Sequence, residues 1–266
     1  MNFGLLSDSH LSPRTWQADL PGMLPERGSV EVMILLGDIG HWSQIPEICI
    51  TVQQALDCQV IFVPGNHDYY SYGSALHSMP EIVDYWHDKL SGHDQVSVLI
   101  DQHVDIGDIS FFGSTWWSKM GSDIDRDLFR LDEHNFSDFS YIIRTWLGTG
   151  MRKLPAYLQS RDLPLMNSNA KLAYSSWDMN CKKKKVLCAH FPMFEALRHP
   201  HYQRSVYFVS EDDEYMLDRL PDMVLFGHTH WNIREEVHGV PCISNMYGYQ
   251  NESGAVGFKK DLVITL

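Results

Sequence analysis

Short apolar runs recur along this chain, and the first three each stop at polar chemistry. Phe3 to Ser7 leads into Asp8-Ser-His10, Val32 to Leu36 into Gly37-Asp38, and Val60 to Val63 into Pro64-Gly-Asn-His-Asp68. Runs of this length bounded by turn residues predict fully buried strands. The spacer from Ser43 to Leu56 carries Ile45, Ile48, Val52 and Leu56 at helical spacing, with Ser43 as its cap. Strand, helix, strand predicts a parallel sheet. Loops at the carboxyl ends of such strands gather on one edge, so Asp8, His10, Asp38 and Asn66 converge there although they are far apart in sequence.

Ser74 to Leu90 predicts a helix, with Leu76, Met79, Val83, Trp86 and Leu90 on one stripe. Val96 to Ile100, Val104 to Ile106 and Ile109 to Phe112 predict strands, the last two a hairpin turning at Gly107-Asp108. From Gly113 to about Asn180 the pattern changes to charged, aromatic and polar residues with helical pieces and few clear strands. This stretch, residues 113-180, is read as an elaboration within one domain spanning residues 1-266, placed above the ligand edge where it shapes access. The strand pattern then returns twice: Val186 to Ala189 ends in His190-Phe-Pro192, and Met223 to Phe226 ends in Gly227-His-Thr-His230. Val240 to Ile243 and Leu262 to Leu266 supply closing strands. Lys182 to Lys185 reads as a solvated loop, and Glu211-Asp-Asp-Glu214 as the first turn of a helix running to Leu220.

Composition narrows the function classes. A chain of 266 residues with 44% hydrophobic content buries a sizeable core. A net charge of −13 disfavours nucleic acid as a partner, because binding to a phosphate backbone needs a basic face. No apolar run approaches the roughly 18 residues of a membrane span, so no membrane partner is expected. The start, Met1 to Asp8, reads as a strand rather than a leader. Five scattered cysteines without a Cys-x-x-Cys pair suit a reducing, cytoplasmic location.

The strand ends together offer Asp8 and His10, Asp38, Asn66 and His67, His190, and His228 and His230. Carboxylate, amide oxygen and imidazole without thiolate form a set suited to two divalent ions. In Asp8-Ser-His10, and again in His228-Thr-His230, alternation along extended chain returns both ligands to one face.

These five blocks, in this order, resemble the calcineurin-like metallophosphoesterase superfamily. The resemblance implies an α/β fold, a four-layer sandwich of two mixed β-sheets flanked by helices, with a dinuclear site at the carboxyl-terminal ends of the strands. It implies that Asp8, His10 and His230 bind one ion, that Asn66, His190 and His228 bind the other, and that Asp38 bridges both. His67 is then a non-ligand that meets the phosphate or protonates the leaving oxygen, with Asp68 orienting its imidazole. The implied reaction is hydrolysis of phosphodiester or phosphomonoester bonds by in-line attack of a metal-bridging hydroxide on a small phosphorylated substrate. A phosphoprotein phosphatase, a nuclease or a non-catalytic interaction module on the same scaffold stands as the alternative. Manganese is the expected metal, with iron, zinc, nickel or magnesium also accepted by this ligand set. Gly113-Ser-Thr-Trp-Trp117, Asn135 to Tyr141 and Asn245-Met-Tyr-Gly-Tyr249 are similar to segments of bacterial members near the cyclic-nucleotide phosphodiesterase branch. His41, Trp42, Trp116 and Trp117 follow strand ends and are the expected substrate contacts.

Overall fold

The computed structural model describes residues 1-73, 75-118, 136-148, 153-201, 207-249, 252 and 257-266. Five strands form a first sheet in the order β13 (Ile264–Thr265), β1 (Asn2–Leu6), β2 (Val32–Leu36), β3 (Gln59–Val63) and β4 (Val96–Val98). β1 to β4 are parallel and β13 runs antiparallel at the edge. A second sheet has the order β11 (Arg234–Val237), β12 (Val240–Ser244), β10 (Met223–Phe226), β9 (Lys184–Ala189), β6 (Ile109–Ser114) and β5 (Gln102–Ile106). Its four central strands are parallel and both edge strands antiparallel, so each sheet is mixed.

Strand alternation builds the layers. Phe3, Leu5, Ile34 and Ile61 from the first sheet face Phe111, Val186, Cys188 and Leu225 from the second, forming a dry interior between them. The next residues along the same strands, Leu6, Leu35 and Phe62, point outward to the helices Ile45–Leu56 and Met79–Leu90. On the other side Phe112, Leu187 and Phe226 pack under Tyr174 and Trp177 of the helix Leu163–Asn180. Helix, sheet, sheet, helix gives the four layers.

Boundaries differ from expectation where caps intervene. The stripe over Ser74 to Leu90 yields a helix beginning at Met79, because Ser78 and Glu81 form a capping box with Pro80 in the first turn. The helix expected from Ser43 starts at Ile45, with Gln44 at its cap. The acidic run does not open a helix to Leu220; the helix is Asp213–Leu217. Asp212 is instead buried, accepting bonds from Trp116 Nε1 (3.0 Å), Asn167 Nδ2 (2.9 Å) and Lys171 Nζ (3.1 Å). The basic run is partly strand, with Lys184 and Lys185 opening β9. Within the elaboration a hairpin of β7 (Ile143–Leu147) and β8 (Leu154–Tyr157) was not expected. Its helix Leu163–Asn180 forms an outer layer rather than a cover for the ligand edge. Asn135 lies outside the described residues, as do residues 119-134 of that stretch. Among the described residues, no helix is long and apolar enough to cross a membrane.

Candidate metal centre

The parallel strands deliver their polar ends to one edge, and the loops there continue the ladder. Asp8 N–H donates to Gly37 C=O (2.9 Å) and His10 N–H to Asp38 C=O (2.9 Å), while Gly227 N–H donates to His190 C=O (3.0 Å). Five ligand candidates sit at positive φ: Asp8 at 51°, His10 at 42°, Asp38 at 54°, His228 at 71° and His230 at 52°. For non-glycine residues this conformation costs energy, and its clustering marks a functional edge. Asp8-x-His10 therefore does not converge by strand alternation, as the spacing alone suggests; two left-handed residues turn the chain instead. Gly37 and Gly65 let the loops close. A Cβ on Gly37 would lie 2.3 Å from His190 Nδ1, and one on Gly65 would lie 2.2 Å from Asp38 Oδ1.

Seven expected ligands come together. Ligand atoms of Asp8, His10 and His230 lie within 4.8 Å of one another, as do those of Asp38, His190 and His228. His10, Asp38 and His67 form a third, overlapping group by the same measure. Asn66 Oδ1 lies 3.1 Å from His190 Nε2.

The hydrogen-bond pattern fits cations between these atoms. His190 Nδ1 faces Leu36 C=O at 3.1 Å, so that nitrogen carries the proton and Nε2 turns toward the amide oxygen and toward Asp38 Oδ1 at 3.5 Å. His230 Nδ1 is 2.8 Å from Glu252 Oε2, leaving Nε2 3.1 Å from His10 Nε2 and 3.4 Å from Asp8 Oδ1. Lone pairs gathered this closely call for positive charge between them. His228 Nε2 is buried and, among the described residues, has no hydrogen-bond partner, an orphan that a metal ion would satisfy.

The carboxylates set a negative potential at this edge. Burial opposes a charge on His190, but Asp38 and Asp8 outweigh it and lift its pKa to about 9. Burial likewise opposes a charge on His230, and Asp8 with Glu252 raises its pKa to about 9. Burial opposes ionisation of Asp38, yet the charges of His190 and His67 hold its carboxyl well below the usual range. Burial pushes His10 down to about 4.

His67 stands beside the ligands. Its ring stacks on Tyr70 (centroids 4.3 Å, 23°) and meets His10 edge-on (4.8 Å), and Tyr70 Oη lies 3.4 Å from its Nε2. Asp68 does not orient that ring. Its Oδ2 accepts from Asp38 N (2.8 Å) and Gly65 N (2.8 Å), and its Oδ1 from Ile39 N (3.0 Å) and Gly40 N (3.3 Å). Four backbone donors make Asp68 the clamp between two ligand loops.

Of the expected substrate contacts, His41 lines a cleft of about 340 Å³ beside the centre, with Ser12, Tyr72 and Tyr249. Trp116 does not reach either cleft at this centre. It is fully buried and packs on Tyr174 in the outer layer, because its φ of 53° turns the chain away from the edge. Trp117 is also buried, against Phe191, and Trp42 packs on His77 and Tyr85. The aromatic walls are other residues. Tyr70, Phe136, Tyr207, Phe208 and Tyr249 line a larger cleft of about 650 Å³, together with Asp38, Asn66, His228 and His230. Tyr249 stacks on His10 at 4.1 Å. Tyr70, Phe136, Asp138 and Tyr249 lie in stretches that the sequence marks, whereas Tyr207, Phe208 and Glu252 carry no signal of their own.

The calcineurin-like phosphoesterase family model matches residues 1–232. This chain belongs to that family, and it is a hydrolase of phosphoric esters that works with metal ions. An uncharacterised protein of Acanthamoeba polyphaga mimivirus is 22% identical over 231 residues, covering 83% of this chain and 79% of that one. Among solved structures, a phosphopantetheinyl hydrolase from Mycobacterium tuberculosis shares the fold at a TM-score of 0.70 and 15% identity, covering 94% of this chain and 90% of that one. A dimetal phosphatase from Danio rerio has a TM-score of 0.50 and 16% identity, covering 92% and 86%.

Proposed function

We propose that this protein hydrolyses small phosphodiesters at a two-metal centre in which Asp8, His10 and His230 hold one divalent ion, Asn66, His190 and His228 hold the other, and Asp38 touches both. The observation that carries the diester assignment is the pair of clefts. The larger and the smaller one share Asp38, His67, Tyr70 and Tyr249, so a phosphorus centre placed there has room for an ester arm on either side. Among the described residues, neither cleft is lined by Lys or Arg, and the larger one carries Asp138 and Glu252. A monoester dianion or a polyphosphate would find no Lys or Arg among these lining residues for its extra charge, whereas a diester carries a single charge and two arms.

When bound, the ions supply Lewis-acid polarisation and activate the attacking water for in-line displacement. The chain supplies the remainder. His67 presents its imidazole to the leaving oxygen and gives it a proton as the phosphorus–oxygen bond breaks. Tyr70 and Tyr249 pack against His67 and His10 and fix the orientation of both rings. Asp68 holds the loops of Asp38 and Gly65 at a set spacing. Manganese is our first choice of metal for these nitrogen and oxygen donors. A small substrate in the cytoplasm is our reading of the acidic charge and of the five free thiols.

Metal-stripped protein reconstituted with manganese tests this with bis-p-nitrophenyl phosphate against p-nitrophenyl phosphate. At least tenfold higher kcat/KM for the diester is expected. Equal or faster monoester turnover overturns the diester assignment. If neither ester is cleaved with manganese, zinc or magnesium, the assignment to small diesters at large falls and a narrowly specific esterase takes its place.

A further inference from the structure

Asp138 is buried beside the centre, contributed by the elaboration and not by any strand end. Its Oδ1 accepts from Asn66 Nδ2 at 2.9 Å and from the Tyr70 hydroxyl. Its Oδ2 is buried and, among the described residues, has no hydrogen-bond partner. A carboxyl group kept in such a place at that cost calls for an explanation. The two bonds it makes supply one.

An asparagine amide has two ends that differ in sign. Only the oxygen end can meet a cation or accept a bond, and only the nitrogen end can donate. Because Asp138 Oδ1 is an acceptor, it takes the nitrogen end of Asn66 and leaves Oδ1 facing His190 Nε2 at 3.1 Å. The same oxygen takes the Tyr70 proton. The phenol oxygen then has lone pairs for His67 Nε2–H, 3.4 Å away, and the Tyr70 ring stays stacked on the His67 ring. Oδ1 accepts both bonds whether or not a proton sits on Oδ2, so the arrangement does not depend on the charge state of Asp138.

We infer that Asp138 is a positioning residue that sets two groups at once: the oxygen end of Asn66 toward the second ion, and, through Tyr70, the orientation of the His67 ring beside the leaving group. The first half rests on the proposed role of Asn66 as a ligand, and the second on that of His67 as the acid. It gives the elaboration a definite part in the site. Without Asp138 the Asn66 amide is free to flip and turn its NH₂ end to the cation, which repels it. The ion on Asp8, His10 and His230 has no such dependence.

The test uses the full-length protein with Asp138→Ala, Asp138→Asn and Tyr70→Phe. Manganese alone is titrated by calorimetry, and bound metal is counted by elemental analysis. Asp138→Ala is expected to keep one ion at unchanged affinity and to bind the second about 10- to 100-fold more weakly, the usual loss when a ligand's supporting partner is removed. Asp138→Asn keeps an acceptor oxygen for the Asn66 amide and is expected to restore the second affinity to within about threefold, a rescue that a merely structural role would not give. Tyr70→Phe should leave both affinities alone and lower kcat with little change in KM.

If Asp138→Ala binds both ions as tightly as the unaltered protein, or if both weaken equally, the inference is overturned. Should Asp138→Ala fail to fold, Asp138→Asn against Asp138→Leu decides the matter by the same comparison of the two affinities. If the unaltered protein itself binds fewer than two ions, the reading of the metal centre fails instead, and that outcome is seen before any variant is made.

Discussion

The floor of this site and its walls are built in opposite ways. The floor is made of strand ends: β1, β2 and β3 from one sheet, and β9 and β10 from the other, each deliver a candidate ligand at a point fixed by a parallel ladder. The walls come from loops and from the elaboration, where Tyr70, Phe136, Tyr207, Phe208 and Tyr249 stack on one another and on the histidines. Strand ends hold position because every flanking hydrogen bond and the dry interior between the sheets would have to move with them. The walls hold position through ring contacts and a few side-chain bonds, so they can change substrate without disturbing the ions. Chemistry is therefore assigned to the floor and specificity to the walls.

Replacing His67 with alanine breaks this contrast most sharply, since His67 sits where floor and wall meet. The expected result is a fall in kcat of roughly 10²- to 10⁴-fold, the range for losing a positioned acid, with both ions still bound. Loss of metal together with activity would place His67 in the floor as a ligand, consistent with its closeness to His10 and Asp38. The smallest effect is expected from Trp116→Phe, which removes a buried indole and its bond to Asp212 far from the clefts. Stability should drop by about 0.5 to 1.5 kcal/mol, read by urea denaturation, because one buried hydrogen bond is lost while Asp212 keeps Asn167 and Lys171. KM for the diester should stay within about twofold. A larger KM change would return Trp116 to the substrate wall.

The same contrast explains what the sequence made legible. Each candidate ligand of the floor ends an apolar run, so a period and a polar stop suffice to single out Asp8, Asp38, Asn66, His190 and His228 as candidates. The left-handed turns that let Asp8 and His10 converge left no such trace, since aspartate and histidine at positive φ look like any polar loop. The family resemblance implies Asp68 as the partner of His67, yet its neighbours in space are four backbone amides from two loops. Trp116 was read as a contact because it follows a strand end. A tryptophan there is equally able to turn back under a helix, and it does so. The role of Asp138 was hidden for a plainer reason: its meaning lies in Asn66, separated from it by 72 positions. No periodicity connects the two.

The central claim is that five strand ends hold two ions with Asp38 common to both. Metal content per chain, measured by elemental analysis after manganese loading and dialysis, tests it directly in the unaltered protein and in Asp38→Ala. The account predicts two ions in the first and fewer than one in the second, because the group shared by both sites is gone. Two ions retained by Asp38→Ala, or a single ion in the unaltered protein, would contradict it.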